Sequence, residues 1–352
     1  MYEDILQQLE QLSQAVGIPV DYTQGGGGNT SAKLDEELMA VKASGFQLKQ
    51  ITPTEGYVVV NYRKIKDFHE NVDLSLDRDY EKESTEFVKN QIVETAGLKK
   101  LRPSVEAGFH SILKKFVIHT HAVYANILCC SQTGRETVAK VFRDKEYATA
   151  WIPYINPGFC LTLKINEAVK ESLKSTGKFP EVIFMENHGL IVTADDSGRC
   201  VALHREVNET IKDFLGIRAP FPAIELFTVD DNTVISKTEY LAEYFKRHPI
   251  AADFFDRIVL YPDQLVYLNG SVAVDRVDKK LNINSQTGEI IYKTHSAEAQ
   301  TIEETLLAYI YVVDGIAQSG MRLKTMAEKE TDFIKNWESE AYRKSLVKEL
   351  GK

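Results

Sequence analysis

Long apolar runs, basic blocks and paired cysteines are all missing from this chain, and each absence removes a class of function. No stretch of about eighteen apolar residues occurs, so a membrane-spanning helix is excluded on length. The formal charge is −9 with a pI near 5.5, and no Lys/Arg block is interleaved with aromatics, so a nucleic-acid surface is not expected. The four cysteines (Cys129, Cys130, Cys160, Cys200) show no CxxC spacing and read as reduced, mostly buried thiols of a cytoplasmic protein. No GK[ST] occurs and no GxGxxG leads into a helix, so neither a P-loop nor a dinucleotide fingerprint is present. A nucleophile elbow and a Ser/His/Asp arrangement are also lacking, as are internal repeats and low-complexity tracts.

What is present is enough apolar residue, 43% of 352, for one large domain with an appendage or for two domains. The N-terminus spaces Ile5, Leu6, Leu9, Leu12 and Val16 along one helical face and does not read as a secretory leader. Asn29 to Leu34, Leu38 to Lys42 and Tyr57 to Tyr62 read as strands. The charged stretch from Arg63 to Glu94 reads as a surface loop and a helix, and a helix opens at Pro103-Ser104, with Ser104 able to cap it and Glu106 in its first turn. Phe116 to Leu128 holds a strand running into a helix. WIPYINPGFCLTLKINEAVKESLK reads as a Pro/Gly loop into a helix, VIFMENHGLIVTADD as strand, turn and strand, and Asp196 to Leu215 as a helix. Strands paired locally and then mixed with helices predict an α/β sheet with helices on its faces.

The Pro-rich break from Gly216 to Pro222 marks a boundary, giving domains over residues 1–217 and 221–352. Beyond it QLVYLNG, SVAVDRV and GEIIYKT read as strands, framed by helices at Lys237 to Arg247, Thr301 to Ala317 and Thr331 to Leu350. This smaller α+β extension contains no histidine–carboxylate cluster, and packing, subunit contact or active-site closure are the roles open to it.

Chemistry concentrates in the first domain. In FVIHTHAVYANIL, His119 and His121 are two apart in a strand and project from one face of the sheet. His188, at the rim of the apolar run Val182 to Met185 and before Gly189, supplies a third imidazole from a separate strand end. Three histidines with room for a carboxylate, water or substrate make up a catalytic divalent-metal site. Taken singly, each histidine is better explained as an incidental polar residue; taken with the motifs below, they read as ligands. Glu106 lies four residues before His110, on the same helical face, and reads either as a structural cap or as a carboxylate beside the metal that moves protons. His69, His204, His248 and His295 lie among charged or loop residues and read as solvated. The run Gly25 to Gly28 with Asn29 allows close approach of a substrate to the backbone. Ala43-Ser44-Gly45 and Ser104 sit at turns or helix starts, whose N–H groups suit phosphate or carboxylate.

GGGGNTS, KASG, PSVE, HTH and ENHGL, in that order over residues 1–217, resemble the class II aldolase/adducin family, which includes fuculose- and rhamnulose-phosphate aldolases and ribulose-phosphate 4-epimerase. The resemblance implies an α/β/α sandwich around a mostly antiparallel sheet and a cyclic homotetramer with active sites between subunits. It also implies Zn2+, or another divalent metal, held by His119, His121 and His188, with Glu106 as ligand and acid/base. Gly28, Asn29, Ser44, Gly45 and Ser104 fall where the family holds the substrate's phosphate. Val105 departs from the aldolase pattern, in which a second serine often precedes the glutamate. GGGGNTS and PSxE also resemble the aldolase half of fused rhamnulose-phosphate aldolase/dehydrogenases, though no dinucleotide-binding half follows here. The expectation is a cytoplasmic zinc-dependent lyase that cleaves a ketose 1-phosphate, or a related hydroxy-ketone, to an enediolate and an aldehyde. Two alternatives stand beside it. One is an epimerase, dehydratase or decarboxylase acting on a sugar phosphate or sugar acid, although the family's epimerases commonly carry aspartate where Glu106 stands. The other is a non-catalytic module like the adducin head, which lacks the metal ligands.

Overall fold

The computed structural model describes residues 2–95 and 97–336, which form two compact units. One runs to Cys129 and resumes from Gly134 to Phe214; the other comprises Cys130–Thr133 and the chain from Leu215 onward. No helix among the described residues is long and apolar enough to cross a membrane.

The first unit begins with α1 (Glu3–Gly17), whose Leu9, Leu12 and Val16 recur at helical spacing and are buried. It continues through β1 (Asn29–Lys33), β2 (Leu38–Lys42), β3 (Tyr57–Asn61), α2 (Tyr62–Asn71), α3 (Tyr80–Lys89), α4 (Ala107–Ile112), β4 (Phe116–Thr120), α5 (Val123–Cys129), α6 (Gly134–Val141), β5 (Ala148–Ile152), α7 (Phe159–Thr176), β6 (Pro180–Met185), β7 (Gly189–Ala194) and α8 (Ser197–Leu215). Its seven strands form one sheet in the order β3-β2-β1-β4-β7-β6-β5, with every pair antiparallel except β5–β6. β4 lies at the centre, and all five of its residues are buried, as a strand covered on both faces requires.

Residue parity along β4 decides what meets each face. Val117 joins Phe109 and Ile112 of α4, Leu161 and Ile165 of α7, and Ile183 and Ile191 of the neighbouring strands in one apolar cluster. Each such buried aliphatic is worth about 1.5–3 kcal/mol. On the opposite face Thr120 meets His204 of α8 through Oγ1 and Nε2 at 2.8 Å, and Ser13 of α1 bonds Thr30 of β1 at 2.7 Å. Helices therefore cover both faces of a mostly antiparallel sheet, the α/β/α sandwich.

Several expectations need correction. The helix after Pro103 starts at Ala107, so Glu106 is its N-cap rather than part of its first turn, and Ser104 accepts from the Glu106 N–H instead of capping. The charged stretch after Arg63 holds two helices, and the end of β5, Trp151 and Ile152, lies in a segment read as loop. His69 and His204 are buried rather than solvated, because each has a partner: His69 donates to the Ile65 carbonyl and meets Ser84, and His204 meets Thr120.

The second unit contains β8 (Leu226–Asp230), β9 (Thr233–Ser236), α9 (Glu239–Arg247), α10 (Phe254–Arg257), α11 (Pro262–Tyr267), β10 (Val272–Val274), β11 (Leu281–Ile283), β12 (Ile290–Tyr292), α12 (Ser296–Gln318) and α13 (Glu328–Asn336). Its five-stranded sheet runs β10-β11-β12-β9-β8. QLVYLNG, expected as a strand, is α11 and its exit, with Pro262 at the first helical turn, where proline's fixed φ suits a helix. β8, β9 and β11 were not anticipated. The expected C-terminal helix from Thr331 to Leu350 is described only as far as Asn336; residues 337–352 lie outside the described residues.

Candidate metal centre

Strand register builds the site. Asn29 of β1 and Ile191 of β7 are the cross-strand partners of His119, one on each side. Asn29, His119 and Ile191 therefore share the sheet face that α4 covers. Ser31 is on that face too, two residues along β1. α4 brings Glu106 and His110 down onto it, and the turn between β6 and β7 brings His188. Gly189 lets this turn close: a Cβ there would lie 2.4 Å from the Thr120 carbonyl oxygen and 3.1 Å from Cδ2 of His121. Gly28 does the same on the other flank, with φ +65° and an added Cβ 2.7 Å from the His119 carbonyl oxygen.

His119, His121 and His188 each present a ring nitrogen to one point, with all three atoms within 4.8 Å of one another. Nε2 of His119 and Nε2 of His121 are 3.2 Å apart. Glu106 adds both carboxylate oxygens, Oε2 at 3.6 Å from His119 Nε2 and Oε1 at 3.4 Å from His188 Nε2. Two donors each 2.0–2.1 Å from a tetrahedral ion are about 3.3–3.4 Å apart, and the observed 3.2, 3.4 and 3.6 Å lie close to that edge length. His119 donates from Nδ1 to the Leu190 carbonyl at 3.1 Å; a carbonyl only accepts, so Nε2 keeps its lone pair for a cation. The four residues are 0–4% exposed, His119 least and His188 most, which leaves little water to compete. A set of three borderline imidazole nitrogens and one hard carboxylate at this spacing fits a divalent ion such as zinc.

Behind the carboxylate is a polar network of which the sequence disclosed only the spacing of Glu106 and His110. Asn29 Nδ2 donates to Glu106 Oε2 and, at 3.2 Å, to Ser104 Oγ. Asn29 Oδ1 meets His110 Nε2, and His110 Nδ1 meets Ser31 Oγ at 2.7 Å. His110 is fully buried, and desolvation pushes its pKa down to about 3, so the ring is neutral.

The residues expected at a phosphate lie in two groups. Gly28, Asn29 and Ser104 adjoin the histidine cluster through the contacts above. Ser44 and Gly45 are partly exposed on the loop after β2, which is drawn to the 102–104 segment by Ser44 N–H to Arg102 O at 2.8 Å and Ser104 N–H to Lys42 O at 3.1 Å. Lys42, not anticipated, brings a buried ammonium to the Gly26 carbonyl at 3.3 Å. Its signal was a lysine closing the apolar strand LMAVK immediately before Ala43-Ser44-Gly45. Tyr124, in the helix after His121, is buried with its hydroxyl on the Asp21 carboxylate and the Lys212 ammonium over its ring at 5.2 Å.

The fold and the site together define a sandwich-fold protein with a three-histidine, one-carboxylate centre suited to a divalent metal. The profile of the class II aldolase and adducin N-terminal domain family matches residues 19–215, and the chain belongs to that family. An uncharacterized oxidoreductase of Bacillus subtilis, YuxG, is 26% identical over 221 residues, covering 59% of this chain and 30% of that protein. The chain thus spans under a third of the length of that relative. Among solved structures, the N-terminal class II aldolase domain of a conserved Thermoplasma acidophilum protein is 23% identical with a TM-score of 0.49, covering 60% of this chain and 93% of that one. YgbL of Klebsiella pneumoniae, described as a putative aldolase/epimerase/decarboxylase, is 20% identical with a TM-score of 0.42, covering 62% and 93%.

Proposed function

We propose that the chain is a divalent-metal-dependent carbon–carbon lyase that cleaves a ketose 1-phosphate or a related hydroxy-ketone. The observation that carries this reading is the convergence of three imidazole nitrogens and both oxygens of Glu106 on one buried point. A divalent ion bound there, zinc in the first instance, supplies Lewis-acid stabilisation of the negative charge that cleavage places on the substrate's oxygens. His119, His121 and His188 hold and orient that ion, and their burial keeps water out of its surroundings. Cleavage takes the proton from the substrate's hydroxyl, breaks the adjacent carbon–carbon bond to release an aldehyde, and returns a proton to the carbon that keeps the electron pair. Glu106 is the group placed to move that last proton, since its carboxylate lies in the cluster with Oε2 steadied by Asn29.

The same proposal assigns the substrate's anionic end to Gly28, Asn29, Ser44, Gly45 and Ser104, supported by the juxtaposed 42–44 and 102–104 segments and by the Lys42 ammonium. It also includes self-association, a homotetramer first, which a mass measurement in solution decides. The activity is tested by metal analysis followed by aldehyde release from a panel of ketose 1-phosphates. Wild type should release aldehyde only when metal-loaded, with Glu106→Gln slower by about 10²–10⁴-fold. Bound metal without aldehyde from any substrate would redirect the reading to epimerisation, dehydration or decarboxylation. A chain that takes up no metal would make it a non-catalytic interaction module.

A further inference from the structure

Two sequence periods interlock on the inner face of the sheet. Asn29 and Ser31 are two apart on β1, Glu106 and His110 are four apart at the start of α4, and each residue of one pair meets the other pair. The proton positions in this square follow from what each atom can do. Glu106 as a carboxylate only accepts, so the atom of Asn29 facing it at Oε2 is the amide nitrogen. That sets the amide's orientation, and its second N–H points to Ser104 Oγ at 3.2 Å. Asn29 Oδ1 then faces His110 and also only accepts, so His110 carries its proton on Nε2. A neutral ring protonated on Nε2 has a bare Nδ1, which accepts the Ser31 hydroxyl at 2.7 Å. The ring has no capacity left over and stands outside the three-histidine cluster, so it is not a fourth imidazole ligand.

We propose that His110 is a positioning residue: with Ser31 behind it, it locks the Asn29 amide so that one N–H faces Glu106 and the other Ser104, and so holds that carboxylate in place as metal ligand and proton carrier. The hydrogen bonds all point one way, from the Ser31 hydroxyl through His110 and Asn29 to Glu106 Oε2. Without the Nε2–H, the Asn29 carbonyl loses the donor that holds it, and the amide's orientation rests on the carboxylate and Ser104 Oγ alone. A flipped amide would set oxygen against oxygen and drive Glu106 out of the cluster. This role rests on the metal-site reading above, but the proton arrangement on which it depends does not.

The test therefore has an arm that needs neither metal nor substrate. In metal-free protein labelled with 15N-histidine, long-range nitrogen–proton correlations report each ring's tautomer, and the signals of His110 are those lost in His110→Gln. The proposal requires a neutral ring protonated at Nε2; a ring protonated at Nδ1, or at both nitrogens, overturns it. The second arm measures metal affinity against a chelator. His110→Phe, which keeps the ring's bulk and loses the donor, should bind metal about 10–100-fold more weakly, the usual cost of losing an outer-shell partner. His110→Gln, whose amide nitrogen stands near the Nε2 position, should restore affinity close to wild type. Wild-type affinity in His110→Phe, or equal losses in both variants, would show the side chain to be packing only and overturn the proposal. If wild type itself takes up no metal, the metal-site reading fails while the tautomer still decides the relay.

Discussion

Replacing Gly189 with alanine pushes on the centre from behind, against the backbone at Thr120 and the ring edge of His121. The added Cβ would lie 2.4 Å from the Thr120 carbonyl oxygen and 3.1 Å from Cδ2 of His121. A carbon and a carbonyl oxygen settle at about 3.3 Å or more, so the β4–β7 crossing must open by about 0.9 Å. Overpacking of this kind costs about 1–3 kcal/mol, and for a unit of this size that lowers the melting temperature by about 2–12 °C. The displacement falls on the backbone between His119 and His121, so the larger effect belongs to the metal, with affinity down about 10–100-fold. Gly177→Ala is the matched control. Gly177 sits at φ +69° after α7 with nothing within 4 Å of an added Cβ, so alanine there costs about 1–2 kcal/mol through backbone strain alone. Thermal unfolding and chelator competition on both variants should show similar destabilisation and a metal defect only in Gly189→Ala. Wild-type affinity in Gly189→Ala, or an equal defect in Gly177→Ala, would refute the claim that this turn holds the ligand geometry.

Other outcomes follow from the buried titratable groups. Burial holds His204 down to about 3, so it is neutral in the fold and protonates only on unfolding; its contribution to stability is present above 6.5 and is lost as pH falls, by about 1.4 kcal/mol per pH unit. His204→Gln should make the stability of the first unit less steep between about pH 6.5 and 4 in chemical unfolding, and an unchanged slope would contradict the buried neutral ring. In the second unit, Glu303 accepts from Ser236 Oγ at 2.6 Å and from the hydroxyls of Thr238 and Tyr292, and burial raises its pKa. A raised carboxyl contributes stability that is present below its ordinary 4.5 and is lost as pH rises through the raised value, so Glu303→Gln should remove that alkaline-side loss in the same unfolding series. Cys160 is the exposed thiol while Cys129, Cys130 and Cys200 are buried, so a thiol reagent should modify Cys160 rapidly in the native protein and the other three only after denaturation.

The histidine cluster was legible because its signals are local and periodic. His119 and His121 obey the two-residue period of a strand, and His188 and Gly189 mark the end of an apolar run. The support for the carboxylate was only half legible: the four-residue spacing of Glu106 and His110 was visible, but Asn29 and Ser31 lie more than seventy residues away and meet them only through the β1–β4 register. β8 escaped notice because four of its five residues are exposed, which removes the apolar alternation that marks a strand. α11 was taken for a strand because six buried residues, Val266 and Tyr267 among them, are too few to show a helical period. His69 and His204 were misjudged because polar sequence neighbours say nothing of the partners a fold supplies.

The central claim is that His119, His121, His188 and Glu106 make one metal centre, and metal content measures it most directly. Purified protein loaded with zinc and dialysed should retain one ion per chain by elemental analysis, and His119→Ala and His188→Ala, still folded by circular dichroism, should lose it. A wild-type chain that retains none, or a folded His119→Ala that binds as wild type does, would contradict the account.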